Sequence, residues 1–478
     1  MEREIFVMPT RSETDSLGSV EVPADALYGA QTTRALANFP ISGLRASPFL
    51  VRALAMIKHA AAEANQALGL ISGRQADAIM QAAQEIIEGR HHDQFVVDVF
   101  QAGAGVSLHM NTNEVIANRA GQILSEAEGE PAALGSYKKV HPNDHVNYGQ
   151  STNDVFPTAM RLATLLALEE FYPVLNDLAS SLDAKAREFK DILKAGRTHM
   201  QDAVPITLGQ EFAAYAMAVQ KCHQHLARTA EALRELGLGG SAVGTGLNTH
   251  PDYRQRAVEN LSRISGLELT PAEDLRYAMQ SNACMADVSA ALRTLALELI
   301  RISNDLRLLS SGPNTGFNEI HLPSLQPGSS IMPGKVNPVL AELTAMVAFQ
   351  VIGNDTATGY AVQAGQLELN VMMPAMAHNT LQSITILTST LRQLDHSCIR
   401  GITANRDRCA HYAGSTIALA TALNPYIGYA KAAGLVKESV ASGRSIVELA
   451  REQKLLSEEQ IKEILDPKNM TEPRARRS

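Results

Sequence analysis

From Met285 onward, apolar residues return in alternating steps of three and four at Val288, Leu292, Leu295, Leu299, Ile302, Leu306 and Leu309. That is the period of a helix with one apolar stripe, and its length predicts a bundle seam. The same spacing runs through Leu208, Phe212, Tyr215, Val219, Cys222 and Leu226 to Leu233 and Leu236, and again through Leu381, Ile384, Leu387, Leu391 and Leu394. Two further helices are predicted from Leu162 to Phe189, with an interruption at Pro173, and after Pro338. About five helices result, several near 30 residues and so roughly 45 Å long. Their small residues (AAYAMAV, SAALRTLAL) allow close helix approach, which points to oligomerisation through the bundle, an intramolecular bundle being the alternative.

The expected fold class is therefore all-α, in three domains: 1–149, mixing short helices with turns; 150–404, the central five-helix bundle; and 405–478, short helices such as Ser445 to Gln453 and Ser457 to Leu465. Two connecting segments, Gly237 to Asn248 and Ser310 to Pro338, are too rich in glycine, proline and polar residues to be helical. The second is also too long for a passive connection and reads as a functional loop.

Composition narrows the classes of function. The chain is 45% hydrophobic and 19% charged, enough apolar material for a large core, and its formal charge of −8 leaves no concentrated basic face for nucleic acid outside a terminal cluster of Arg474, Arg476 and Arg477. Cys222, Cys284, Cys398 and Cys409 form no CxxC pair, so neither zinc nor a disulfide framework is indicated; they read as small core residues in a reducing compartment. No apolar stretch long enough for a signal peptide or membrane span is seen, and a cytoplasmic location without membrane association is expected.

Three polar segments can carry chemistry. In GSSIMPGKVNP (328–338), Asn337 and Pro338 suit an N-cap and a first helical position, so the loop ends on the positive pole of a helix beside Lys335, with Ser329 and Ser330 ahead of it. The spacing does not fit a nucleotide phosphate loop. QSTND (150–154) packs hydroxyls and amides suited to a carboxylate or an amine, although turns and caps share that composition. GRTHMQDAVP (196–205) places Thr198 and His199 just before a long helix, where a lone histidine is more often structural than catalytic.

Taken together these segments, with VHPNDHVNYGQSTNDVFPT, VGTGLNTHPDY, NDLRLLSSGP and AGQLELNVMMP, resemble the aspartase/fumarase superfamily over nearly the whole chain. The resemblance implies a cofactor-free, metal-free lyase acting on a small dicarboxylate. It also implies a homotetramer whose central helices share one core and whose active sites each draw on three subunits. Residue by residue, it makes Ser329 the catalytic base. Lys335 and Asn337, supported by Thr198, would hold one carboxylate, and Ser151, Thr152 and Ser330 the other. Asn153 and His199 would stand near the leaving group, with Glu342 as the histidine's partner. His141, Asn143 and Asp144 resemble a secondary dicarboxylate site.

Between branches, YGAQTTRAL, VHPND and VFPTAM lean towards fumarase, whereas NDHVN, QSTND, RTHMQDAVP, AGQLELNVM and GITAN lean towards aspartase. The expected reaction is elimination of ammonia from L-aspartate to fumarate. The alternatives are fumarate hydration, an amine lyase for another substituted succinate, and a non-catalytic scaffold that keeps the fold. Val106 stands where the pattern has a substrate-binding threonine, followed by Ser107, and Tyr148 and Gly149 depart from smaller or basic residues and serine; either departure points to altered substrate shape.

Overall fold

The computed structural model describes residues 9–473; the Arg474, Arg476, Arg477 cluster and the extreme N-terminus lie outside the described residues. The chain opens with an antiparallel ribbon, β1 (Thr10–Asp15) and β2 (Gly18–Pro23). There follow α1 (Ala30–Asn38), α2 (Pro48–Ala67), α3 (Gly73–Ile87), α4 (Val106–Glu128) and α5 (Thr152–Glu188). A second ribbon, β3 (Leu193–Thr198) and β4 (Gln201–Thr207), leads into α6 (Leu208–Ala230), and α7 (Tyr253–Ser265) and α8 (Leu275–Gln280) precede α9 (Ala283–Leu309). After a long loop come α10 (Val339–Gln363) and α11 (Met373–Ser397), then α12 (Arg406–Ser415), α13 (Asn424–Ile427), α14 (Tyr429–Ser442), α15 (Ile446–Glu452) and α16 (Glu458–Ile464). The fold is all-α with small two-stranded ribbons.

The long-period patterns became helices for the reason the spacing gives, except that the second run ends at Ala230 and leaves Leu233 and Leu236 beyond α6 in a 3-10 turn and a short strand. Every seam position of α9 from Met285 to Leu309, and of α11 from Leu381 to Leu394, is buried. At about 1.5–3 kcal/mol for each large apolar side chain, those seams outweigh any local propensity. This also corrects the expected break at Pro173: α5 runs through it without interruption. Proline inside a helix costs about 3 kcal/mol; burial of Phe171, Val174, Leu175 and Leu178 around it is the larger effect. A second correction concerns the stretch before residue 150, whose α2 and α4 are long, with 20 and 23 residues. Their alanines and polar core residues hide the apolar stripe that would have announced them.

The chain packs as two compact units. One comprises the described residues up to Tyr172, with Gln224–Thr294 and Phe349–Leu387; the other comprises Pro173–His223, Leu295–Ala348 and the described residues from Thr388. In the first, the buried Glu114 carboxylate of α4 accepts from the backbone N–H of Gly29 (2.9 Å), Gln31 (2.9 Å) and Thr32 (3.2 Å) at the start of α1, an anion seated on a helix N-terminus. In the second, Ser445 and Ser457 form complete capping boxes with Glu448 and Gln460, so α15 and α16 begin where the sequence places them. Behind them Leu419, Leu423, Leu435, Leu449 and Ile461 form a C-terminal core.

The start of α4 depends on Gly105, whose φ of +83° is left-handed and whose added Cβ would fall inside the Phe156 ring. Gly105→Ala should destabilise the protein by about 1–2 kcal/mol from backbone strain and about 1–3 kcal/mol more from overpacking. The check is a lowered urea midpoint at unchanged slope.

Candidate active site

Ser329 lies in a loop closed on itself. The backbone N–H of Gly328 donates to the Lys335 carbonyl (2.8 Å), and the Asn337 side-chain amide donates to the Gly328 carbonyl (2.9 Å). A Cβ at residue 328 would come within 2.7 Å of that same Lys335 oxygen, so the closure requires glycine. Asn337 is thus not the N-cap expected of it. The first helical bond of α10 runs from Glu342 N–H to the Pro338 carbonyl (3.1 Å), one residue later than the sequence suggests, and the Asn337 amide holds the loop instead.

Inside this loop the Ser329 hydroxyl oxygen accepts from the backbone N–H groups of Ile331 (3.2 Å) and Met332 (3.0 Å). Two fixed donors on one oxygen favour its anionic form, which is what a serine base needs. Ser330 and Lys335 are exposed and Ser329 half-buried. Lys335 and Asn337, with Glu342 in the first turn of α10, line a cavity of about 1070 Å³ that Asn304, Arg307 and His321 also border. Ser329 and Ser330 are not among its lining residues.

Thr198 and His199 do not stand directly before a helix. Thr198 ends β3 and His199 with Met200 forms the two-residue tip of the β3–β4 hairpin, both with positive φ (53° and 62°). Such turns ordinarily announce themselves with Asn-Gly or Asp-Gly, and His-Met carries no such signal. The hairpin is anchored from below. Arg197 makes two 3.0 Å bonds to the fully buried Glu319, lies over the Phe317 ring at 4.2 Å, and has Lys194 3.4 Å from the same carboxylate. Both Thr198 and His199 are exposed, and among the described residues no hydrogen bond or ion pair joins His199 to Glu342 within one chain.

Ser151, Thr152 and Asn153 open α5 in the first unit. The Ser151 oxygen accepts from the Asn153 N–H (3.2 Å), while Asp154 returns the favour by accepting from the Ser151 N–H (2.9 Å). This reciprocal cap leaves the Ser151 hydroxyl proton for a ligand. The Asn153 side-chain amide donates to the Ala242 carbonyl (2.8 Å), turning its own oxygen into the available acceptor.

Beneath them sits a polar network that motif reasoning missed. The fully buried Lys58 donates to Asn147 Oδ1 (2.8 Å) and Gln150 Oε1 (2.9 Å) and lies 2.7 Å from His109 Nε2; His109 Nδ1 is 2.6 Å from Thr152 Oγ1. Asp154 also accepts from the backbone N–H of Gly239 (2.9 Å) and Ser241 (3.1 Å), tying the GLGGSAVGTGLN segment to α5. Burial pushes the Asp154 carboxyl up to about 6 against those three backbone donors, and pushes the Lys58 ammonium well below its usual range, with the Asp154 charge opposing. One signal was available: Lys58 is the only charge in the apolar run ALAMIKHAAA, and an isolated lysine there must be paired or functional.

Val106 is the first residue of α4 and is exposed, whereas Ser107 is buried, so the serine does not take the valine's place at the surface. Tyr148 is half-buried, its carbonyl held by the Asn65 amide (3.1 Å). His141 caps the π-turn Pro142–Val146, its Nδ1 3.3 and 3.2 Å from the N–H groups of Asn143 and Asp144.

The site can be compared with known proteins. Residues 18–353 match the family described as Lyase, and residues 419–472 the family described as Fumarase C C-terminus. An aspartate ammonia-lyase of Pseudomonas aeruginosa is 50% identical over 98% of both chains. A class II fumarate hydratase of Halobacterium salinarum is 48% identical over 96% of this chain and 97% of its own. A crystal structure described as fumarate lyase:delta crystallin from Brucella melitensis, bound to cobalt, superposes with a TM-score of 0.93 at 47% identity, covering 97% of this chain and 100% of that one. On sequence and fold alike, the chain belongs to the lyase family of the aspartase/fumarase superfamily.

Proposed function

We propose that this protein catalyses the reversible elimination of ammonia from L-aspartate to give fumarate, with Ser329 as the base. The observation that carries the reading is the Ser329 oxygen held by the Ile331 and Met332 N–H groups in a loop that ends on the α10 pole. The alkoxide takes the proton from the carbon beside one carboxylate, and the electron pair delocalises into that carboxylate as an enediolate. The pair then returns to form the double bond as the C–N bond breaks and ammonia leaves with its bonding electrons. Stabilising the enediolate charge is the largest demand. Lys335, the second N–H of the Asn337 amide and Thr198 serve that end; Ser151, Thr152 and Ser330 hold the other carboxylate. The Asn153 oxygen, with its amide nitrogen committed to Ala242, accepts from the substrate ammonium until it departs as neutral ammonia, and His199, partnered by Glu342, stands beside the leaving group. No cofactor or metal enters the scheme.

A carbonyl acceptor at Asn153 suits an ammonium better than a hydroxyl, which favours aspartate. The similarity to a class II fumarate hydratase supports a second reading, hydration of fumarate to malate.

The same reading makes the working form a cytoplasmic homotetramer, with the three-part division at 149 and 404 retained. The assembly is supported by α10, which buries Leu340, Ala345 and Val351 while leaving Leu343, Met346, Phe349 and Tyr360 exposed. A helix apolar on both sides needs cover from a further surface. Among the described residues no helix is long and apolar enough to cross a membrane, so lipid does not supply it that way.

Kinetics on L-aspartate, L-malate and N- and C-substituted aspartates test the substrate. L-Aspartate should give the highest kcat/KM, and preference for malate would transfer the assignment to a hydratase. Val106→Thr adds a hydroxyl at nearly constant volume and should lower KM for L-aspartate, by up to the worth of one charged hydrogen bond, about 1.5–3 kcal/mol. An unchanged panel would place Val106 away from substrate.

Base and binding group separate by their variants. Ser329→Ala should lower kcat by at least about a thousandfold, roughly 4 kcal/mol of barrier, while binding of succinate survives. Lys335→Ala should damage both KM and kcat, because it serves ground state and transition state alike. Near-native turnover by Ser329→Ala would remove it from the base role.

A further inference from the structure

The buried network below Thr152 has a direction. The Asn147 amide nitrogen donates to the Gln150 carbonyl (3.2 Å) and the Gln150 amide nitrogen to the Val146 carbonyl (3.1 Å), so the side-chain oxygens of both residues are the atoms turned to Lys58. An ammonium has three N–H donors and no acceptor. Burial alone disfavours the Lys58 charge, but with Asn147 Oδ1, Gln150 Oε1 and His109 Nε2 around it at 2.8, 2.9 and 2.7 Å the ammonium has one acceptor for each proton, and this geometry is what holds it charged. Asp154, which accepts three backbone N–H groups nearby, supplies the compensating charge. His109 is itself buried among these groups, and both burial and the Lys58 charge hold its imidazole well below the usual histidine range, hence neutral. A neutral imidazole that accepts at Nε2 carries its one proton on Nδ1.

We propose that His109 is a positioning residue: fixed by Lys58 with its proton on Nδ1, it donates across 2.6 Å to the Thr152 oxygen and so turns the Thr152 O–H outward as a donor for a substrate carboxylate. A free threonine hydroxyl rotates and presents lone pairs to an anion as readily as its proton. One whose oxygen already accepts from a buried N–H is biased to donate, and meets a carboxylate without reorganising. Reversing the chain, with His109 donating to an uncharged Lys58 and accepting from Thr152, would present an oxygen lone pair to the carboxylate and repel it. Lys58 is fully buried and does not reach substrate; its charge acts through the histidine. This rests on the reading of Thr152 as a carboxylate binder.

The test uses the full-length protein. His109→Gln keeps an acceptor at the Nε2 end for Lys58 but offers no donor at the Nδ1 end. His109→Asn places an amide N–H near the Nδ1 position but does not reach Lys58. His109→Gln should raise the KM for L-aspartate and the Kd for succinate by about tenfold, about 1.4 kcal/mol, with a smaller change in kcat, and His109→Asn should recover most of that loss. On a Thr152→Val background His109→Gln should add nothing further. Nitrogen-15 shifts of the His109 ring in the native protein, assigned by difference from His109→Asn, should show Nε2 unprotonated and Nδ1 protonated. A ring protonated on Nε2, equal losses in both His109 variants, or additive losses with Thr152→Val would overturn the proposal. If Thr152→Val alone leaves KM and succinate affinity native, the reading of Thr152 as a binder fails instead. The ring spectrum still decides which way the buried chain of protons runs.

Discussion

A serine can take a proton from the carbon beside a carboxylate only where fixed donors hold both negative charges, that of the alkoxide and that of the enediolate. Water cannot supply such donors, because it reorganises as charge moves; backbone N–H groups and helix poles in a packed scaffold can. Much of what the chain invests in follows from this. The 328–338 loop closes through Gly328 and Asn337 so that two N–H groups converge on Ser329. The β3–β4 tip is carried on the buried Glu319–Arg197 pair, and α5 opens with a reciprocal cap that uses the Ser151 oxygen as acceptor and leaves its proton uncommitted. Each device rests on long helices whose seams are buried along their length.

How much of this can be read from the sequence depends on the range of the interaction. The seams of α6, α9 and α11 follow from period alone, since any helix with that spacing must bury that face. Ser445 and Ser457 mark their helices because a cap is settled within four residues. Pro173 misled because its local cost is real but smaller than the packing around it, which no local rule contains. The hairpin at His199 escaped because its turn residues take left-handed backbone without the usual asparagine or glycine, and only the Glu319 anchor, more than a hundred residues away in sequence, explains why that is tolerated.

The candidate site shows the same division. Motifs supplied the residues proposed to hold substrate, because resemblance follows chemistry at the surface of a site. They did not supply Lys58 or His109, which are buried and matter through what they hold. Their effect is to give direction to groups the motifs present as mere hydroxyls and amides. Asn153 presents its oxygen as an acceptor because its amide N–H donates to the Ala242 carbonyl, and in the proposed arrangement Thr152 is a donor because His109 fills its oxygen.

Catalysis as proposed requires the groups of 151–153 and those of 328–337 to meet in one site contributed by different copies of the chain. Complementation tests this most directly. Ser329→Ala is refolded together in equal amounts with a Ser151→Ala/Thr152→Val double variant, and L-aspartate turnover is measured at subsaturating substrate. If the two segments come from different copies, about one quarter of the sites in mixed tetramers carry neither lesion, each position being native in half the copies, and about that fraction of native activity should return. If both segments serve a site within one copy, every site keeps a lesion, and activity no higher than the mean of the two parents would contradict the account.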